Sequence, residues 1–116
     1  MDAFMAIAEP VRRKLLDHLR TTAEATVTEL QTTVGMSQPA TSKHLTVLRQ
    51  TGLVSVRRDG ARRLYALNPV PLVGVDGWLK AYREMWEGHM DRLAVMLGDD
   101  NAGQEEAEKR GGPGTD

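Results

Sequence analysis

Arg57, Arg58, Arg62 and Arg63 crowd into seven residues, with Asp59 the only carboxylate among them. A guanidinium keeps its charge at any biological pH, its planar fork of donors matches phosphate, and it fits a narrow minor groove. Over Ser37–Leu67 the bases are Lys43, Arg49 and these four arginines, against the single acid Asp59, a net of +5 in 31 residues. Charge of that density points to a polyanion. Blunting an exposed strand edge is a competing use of charge, but it does not require four arginines and so little acid. The residues ahead of the arginines, Ser37–Thr51, read as a helix. Advancing about 100° per residue puts Thr41, Leu45 and Leu48 on one face. Ser37 opens the helix and Gln38 sits in its exposed first turn. Pro39, Ser42, Lys43, Thr46 and Gln50 fall on the outer side, with Arg49 near the far end. Such side chains can hydrogen-bond base edges in a major groove or the phosphates beside it.

Catalytic chemistry is poorly provided for. Cysteine is absent, which excludes disulfides, thiolate metal sites and cysteine nucleophiles. The three serines, Ser37, Ser42 and Ser55, all lie in the basic half, and no phosphate loop, nucleophile elbow or zinc-protease helix occurs. Glu84, Glu87 and Asp91 read as a solvated helix face. The expectation is a protein that is not an enzyme and carries no cofactor. Of the histidines, His44 reads as packed beside the inner helix face, His18 as exposed, and His89 as part of an apolar seam. Arg12-Arg13-Lys14 reads as a solvated run, with Arg13 paired to Asp17 one turn on.

The elements that would position these residues follow from punctuation and periodicity. The 116 residues suffice for one ordinary domain. Phe4 and Ile7 lead in from a short helix over roughly 2–8. Pro10 opens a second over roughly 10–20, with Val11, Leu15, Leu16 and Leu19 inward. Thr26-Val27-Thr28-Glu29 fits a capping box that starts a short helix closed by Gly35. Val34–Ser37 is then a tight turn, and Gly52 stops the next helix. Alternation from Val54 to Leu67 predicts a two-stranded ribbon, with Asp59-Gly60 at a two-residue type I′ tip and Tyr65 and Leu67 sharing a face. Pro71 begins a long helix to Leu97 with Leu72, Val75, Leu79, Tyr82, Trp86, His89, Leu93 and Met96 in steps of three and four. Trp78 and Met85 widen that face, and Trp78, Tyr82 and Trp86 read as core. So much apolar surface calls for a second protomer, and the expected dimer interface comprises Phe4 with Leu72, Val75, Leu79, Tyr82, Trp86, His89 and Leu93. The fold class is mainly α with a small β-hairpin.

The overall net charge of -1 averages unlike parts. Residues 99–116 hold six acids and two bases and lack hydrophobic periodicity, predicting a disordered acidic tail. Residues 1–98 form the expected domain for DNA binding and dimerisation. No apolar run approaches the ~20 residues of a membrane span and no signal-peptide pattern opens the chain, so the expected compartment is the cytoplasm, with no membrane partner.

Several blocks together resemble the ArsR/SmtB family of winged helix-turn-helix repressors. They are Phe4-Met5-Ala6-Ile7-Ala8-Glu9-Pro10-Val11-Arg12-Arg13-Lys14-Leu15-Leu16, Met36-Ser37-Gln38-Pro39-Ala40-Thr41-Ser42-Lys43-His44-Leu45, Gly52-Leu53-Val54 and Arg63-Leu64-Tyr65. The resemblance implies a homodimer on double-stranded, pseudo-palindromic operator DNA, controlled by an effector that the residues do not specify. It makes Ser37–Thr51 the recognition helix and Ser55–Leu67 the wing. The site residues it supports are Ser37, Gln38, Pro39, Ser42, Lys43, Thr46 and Arg49 on the helix, and Arg57, Arg58, Arg62 and Arg63 on the wing. Many members bind metal through a Cys-x-Cys pair, where this chain has Thr26 and Thr28. Another family site uses Asp and His on the last helix. Asp76 and His89 are weak candidates there, with Trp78 and Arg92 where further ligands are expected, so no metal site is expected. Two alternatives remain: a nickel-, zinc- or cobalt-responsive repressor using the terminal helix, and a winged-helix interaction module that docks a protein through the Trp78–Trp86 flank.

Overall fold

The computed structural model describes residues 1–98, and the acidic tail expected over 99–116 lies outside the described residues. The elements run α1 (Ala3–Ile7), α2 (Pro10–Thr21), β1 (Ala25–Thr26), α3 (Val27–Val34), α4 (Gln38–Gln50), β2 (Val54–Asp59), β3 (Arg62–Leu67) and α5 (Leu72–Leu97). The architecture is mainly helical with a small antiparallel sheet. The chain divides into two units, Met1–Gly77 and a second that begins at Trp78, with α5 running through the boundary. Among the described residues, no helix is long and apolar enough to cross a membrane.

Local chemistry sets the helix ends. Pro10 opens α2, where a missing N–H costs nothing. Thr26 and Glu29 form the full capping box: the Thr26 amide donates to Glu29 Oε1 at 2.7 Å, and the Glu29 amide donates to Thr26 Oγ1 at 3.2 Å. Gly35 ends α3 in the left-handed region at φ 67°, a conformation that favours glycine, and its amide donates to the Gln31 carbonyl. Two residues later the Ser37 hydroxyl accepts from the Ala40 amide and starts α4.

The core gathers Leu15, Leu16 and Leu19 of α2, Leu30 of α3, and Leu45 and Leu48 of α4 around Leu53, Val54 and Tyr65. Thr41 is buried as well, its hydroxyl satisfied by donating to the Ser37 carbonyl at 2.9 Å. The face assignment of α4 therefore holds. Leu64 on β3 is also buried, next to Tyr65, so both faces of the strand are covered there.

The structure corrects several expectations. The sheet has three strands in the order β1-β3-β2, because Ala25 and Thr26 pair with Tyr65 and Leu64. Two residues are too few to show alternation. At the wing tip Asp59 pairs with Arg62, so the connecting residues are Gly60 and Ala61. Only Gly60 has positive φ, at 65°, the sign pattern of a type II′ turn and not type I′. Arg13 does not pair with Asp17. Its Nη1 donates to the Ile7 carbonyl at 2.6 Å, and Arg12 Nε donates to the Ala6 carbonyl at 2.6 Å. These guanidiniums satisfy carbonyls left open at the end of α1, a stronger use of charge than an exposed pair. His18 is half-buried beside Thr33 and not exposed. On α5 no side chain is buried in the single chain, and Trp78, Tyr82 and Trp86, whose apolar face is expected to meet a second protomer, are 55%, 46% and 48% exposed.

Leu45 is fully packed whereas its neighbour Thr46 faces outward. Leu45→Ala is expected to lower the unfolding free energy by about 2–5 kcal/mol, and Thr46→Ala to change it by less than about 0.5 kcal/mol, both read from urea denaturation. The hydrogen bonds from Thr26 hold the Glu29 carboxyl below its ordinary value of 4.5. A lowered folded pKa contributes stability that is present above 4.5 and lost as pH falls through the folded value. Urea titrations from neutral to acidic pH should show the stability gap between wild type and Glu29→Gln closing below that range.

Candidate nucleic-acid interface

The site begins with how α4 is held. Its inner residues Thr41, Leu45 and Leu48 are locked in the core, which fixes the rotation of the helix. Gln38, Pro39, Lys43, Thr46, Arg49 and Gln50 are consequently exposed, and Ser42 is half-exposed. Some of these groups already have local work. The Ser37 oxygen caps its own helix, and the Thr46 hydroxyl donates to the Ser42 carbonyl at 2.9 Å, leaving its oxygen as an acceptor. Lys43 and Arg49 form no ion pair with another described residue. His44 is half-buried as expected, with Nδ1 3.3 Å from Arg12 Nη1.

The wing follows directly. Asn68 ties its base to the end of α4: its amide donates to the Leu53 carbonyl at 2.8 Å and its side chain donates to the Gly52 carbonyl at 2.9 Å. Arg58 and Arg63 sit opposite each other on β2 and β3, and neither is paired with a described carboxylate. The other two arginines are paired. Arg62 Nη2 donates to Asp59 Oδ2 at 2.7 Å across the turn. Arg57 makes a two-pronged contact with Glu24, Nε to Oε2 at 2.5 Å and Nη2 to Oε1 at 2.8 Å. Hydrogen bonding from the guanidinium holds the Glu24 carboxyl below its usual range, and the carboxylate in turn raises Arg57. Asp59 is lowered in the same way by Arg62.

Sequence reasoning missed Glu24. It lies 33 residues from Arg57, and only the β1–β3 pairing brings it to the wing. The assumption that Asp59 was the one acid near the arginines is therefore corrected.

Helix and wing enclose two hollows. One is lined by Thr28 of α3, Gln38 and Ser42 of α4, and Arg62, Arg63 and Tyr65 of the wing. The other is lined by Arg49, Val56, Arg57, Arg58 and Arg63. The arrangement places a polar helix face beside a cationic hairpin, which suits the grooves and phosphates of a nucleic acid.

The second unit carries other chemistry. Trp78, Leu79, Tyr82, Met85, Trp86 and His89 line a shallow apolar groove, with the Trp78 and Tyr82 ring centroids 4.9 Å apart. His89 Nδ1 has Arg92 Nη2 at 3.4 Å, a fixed cation beside the one imidazole of α5. Asp76, which belongs to the first unit, is exposed on the same helix. Among the described residues, no three side chains of His, Asp or Glu gather as a metal ion would need. Of the expected interface residues in the first unit, Leu72 and Val75 are half-buried and Phe4 is 40% exposed.

Comparison with known proteins agrees with this geometry. A helix-turn-helix domain family matches residues 7–57. The transcriptional repressor SdpR of Bacillus subtilis (strain 168) is 33% identical over 78 residues, covering 67% of this chain and 86% of the relative. A solved possible transcriptional regulator for arsenical resistance superposes with a TM-score of 0.64 at 35% identity, covering 85% of this chain and 99% of that one. A solved ArsR family transcriptional regulator gives a TM-score of 0.63 at 34% identity, covering 72% and 86% respectively. The chain belongs to the ArsR family of helix-turn-helix transcriptional regulators, DNA-binding proteins and not enzymes.

Proposed function

We infer that the protein is a homodimeric repressor that binds a two-fold operator and leaves it in response to an effector. The reading is carried by one observation: the outer face of α4 and the guanidiniums of Arg58 and Arg63 stand together without a described protein partner. In this reading the recognition helix 37–51 enters the major groove. Gln38, Ser42, Lys43 and Thr46 meet base edges, with Ser37, Pro39 and Arg49 against the adjoining strand. The wing 55–67 follows the backbone and the neighbouring minor groove, where Arg58 and Arg63 neutralise phosphate.

The apolar face of α5 supports the dimer. Tyr82, Trp86 and Leu93 are 46%, 48% and 39% exposed in a single chain, an area of the kind that marks a protein contact. Joining them with Phe4, Leu72, Val75, Leu79 and His89 of each protomer makes residues 1–98 one DNA-binding and dimerisation domain. Two-fold symmetry then sets the two recognition helices one helical turn of DNA apart, or a multiple of it. Sensing of the effector does not run through thiolates of this chain, which has no cysteine.

Gel-shift titration against the promoter region of its own gene tests the DNA reading. Wild type is expected to prefer that duplex over a random one. Arg58→Ala with Arg63→Ala should flatten the salt dependence by about 0.9 per lost phosphate contact. Equal affinity for both duplexes, or an unaltered salt slope in the double variant, refutes the assignment. Light scattering tests the assembly: the full chain should have the mass of a dimer and Trp86→Glu that of a monomer. A monomeric wild type sinks the interface.

A further inference from the structure

The two-pronged contact between Arg57 and Glu24 is out of keeping with the rest of the wing. Arg49, Arg57, Arg58 and Arg63 line one hollow, and of these only Arg57 has a described carboxylate against it. The pair is exposed, 57% for the arginine side chain and 31% for the glutamate, and exposed pairs add little to stability. The wing does not depend on it for its shape, because β2 and β3 pair along all six residues of each strand. Glu24 also comes from a different part of the chain, the residue just before β1, and reaches Arg57 of β2 across β3.

A carboxylate and a phosphate ask for the same thing from a guanidinium: two parallel N–H donors and a positive charge. Arg57 already gives Nε–H and an Nη2 hydrogen to Glu24. While that contact persists its charge is neutralised, and it releases no counterion from DNA. We propose that Glu24 is a built-in competitor for the DNA phosphate at Arg57, so that the hollow presents three effective cations and not four. Resting on the DNA-binding reading above, this deepens it. Glu24 is a residue of the interface that lowers affinity for any duplex and so raises the relative weight of the base contacts made by α4. Asp59 acts on Arg62 within the hairpin, whereas Glu24 acts from outside it.

The experiment is fluorescence anisotropy with the full chain, using the promoter duplex and a random duplex of equal length over a range of salt. The proteins are wild type, Glu24→Gln, Glu24→Ala, Arg57→Ala, Arg58→Ala and the double variant Glu24→Gln with Arg57→Ala. Glu24→Gln and Glu24→Ala are expected to bind the random duplex severalfold more tightly, with a salt slope steeper by about 0.9, one added phosphate contact. Arg57→Ala should keep the wild-type slope, while Arg58→Ala should lose about 0.9 in slope. In the double variant the gain should vanish. A gain that persists without Arg57 would reflect the long-range charge of Glu24 and overturns the proposal. Weaker or unchanged binding by both Glu24 variants overturns it too, as does an Arg57→Ala slope as shallow as that of Arg58→Ala. If wild type binds neither duplex, the DNA-binding reading falls with it. Normal wild-type binding with silent Glu24 variants removes this inference alone.

Discussion

A helix that must offer its polar side to another molecule can be held only by its other side, and the structure is organised around that restriction on α4. Thr41, Leu45 and Leu48 give it three anchoring points, and each is essentially inaccessible to solvent. Leu15, Leu16 and Leu19 of α2 and Leu30 of α3 belong to the same cluster, so the earlier helices serve as the bed on which α4 lies. The sharp entry at Gly35 and the cap at Ser37 let α3 and α4 follow each other with three residues between them. Thr41 is the informative member. A valine there would fill much the same space, but the threonine hydroxyl bonds the Ser37 carbonyl and ties the first turn to its cap.

Electrostatics form a second layer on this scaffold. A chain with net charge -1 concentrates a net +5 in residues 37–67, on α4 and the wing, and the pairing there is uneven. Arg12 and Arg13 spend their donors on the carbonyl end of α1, Arg57 and Arg62 face carboxylates, and Lys43, Arg49, Arg58 and Arg63 do not. Counting basic residues therefore overstates the charge available to a partner.

Features encoded within a few residues were legible beforehand. The Thr26–Glu29 box, the cap at Ser37, the two faces of α4 and the seam of α5 each rest on residues within one or two helical turns, where spacing alone decides what meets. The terminal helix illustrates the limit of that reasoning. Its periodicity identifies an apolar face, but what covers Trp78, Tyr82 and Trp86 does not lie in the single chain. What escaped was non-local. β1 is two residues long and exists because β3 offers it an edge. Glu24 meets Arg57 only as a result of that pairing, and Arg13 prefers the Ile7 carbonyl because α1 folds back within its reach. The turn was misjudged by one position: Asp-Gly suggested the tip, whereas the strand register moved it to Gly60-Ala61.

The strand order has a consequence for the protein's behaviour in a crowded solution. β3 is shielded on both sides along part of its length, which leaves β2 as the six-residue outer edge, with its backbone donors and acceptors available to any extended chain. Arg57, Arg58 and Asp59 are exposed on that edge, and charged side chains on an edge strand hinder the docking of another strand. The cationic wing is thus also a guard against self-templated sheet growth.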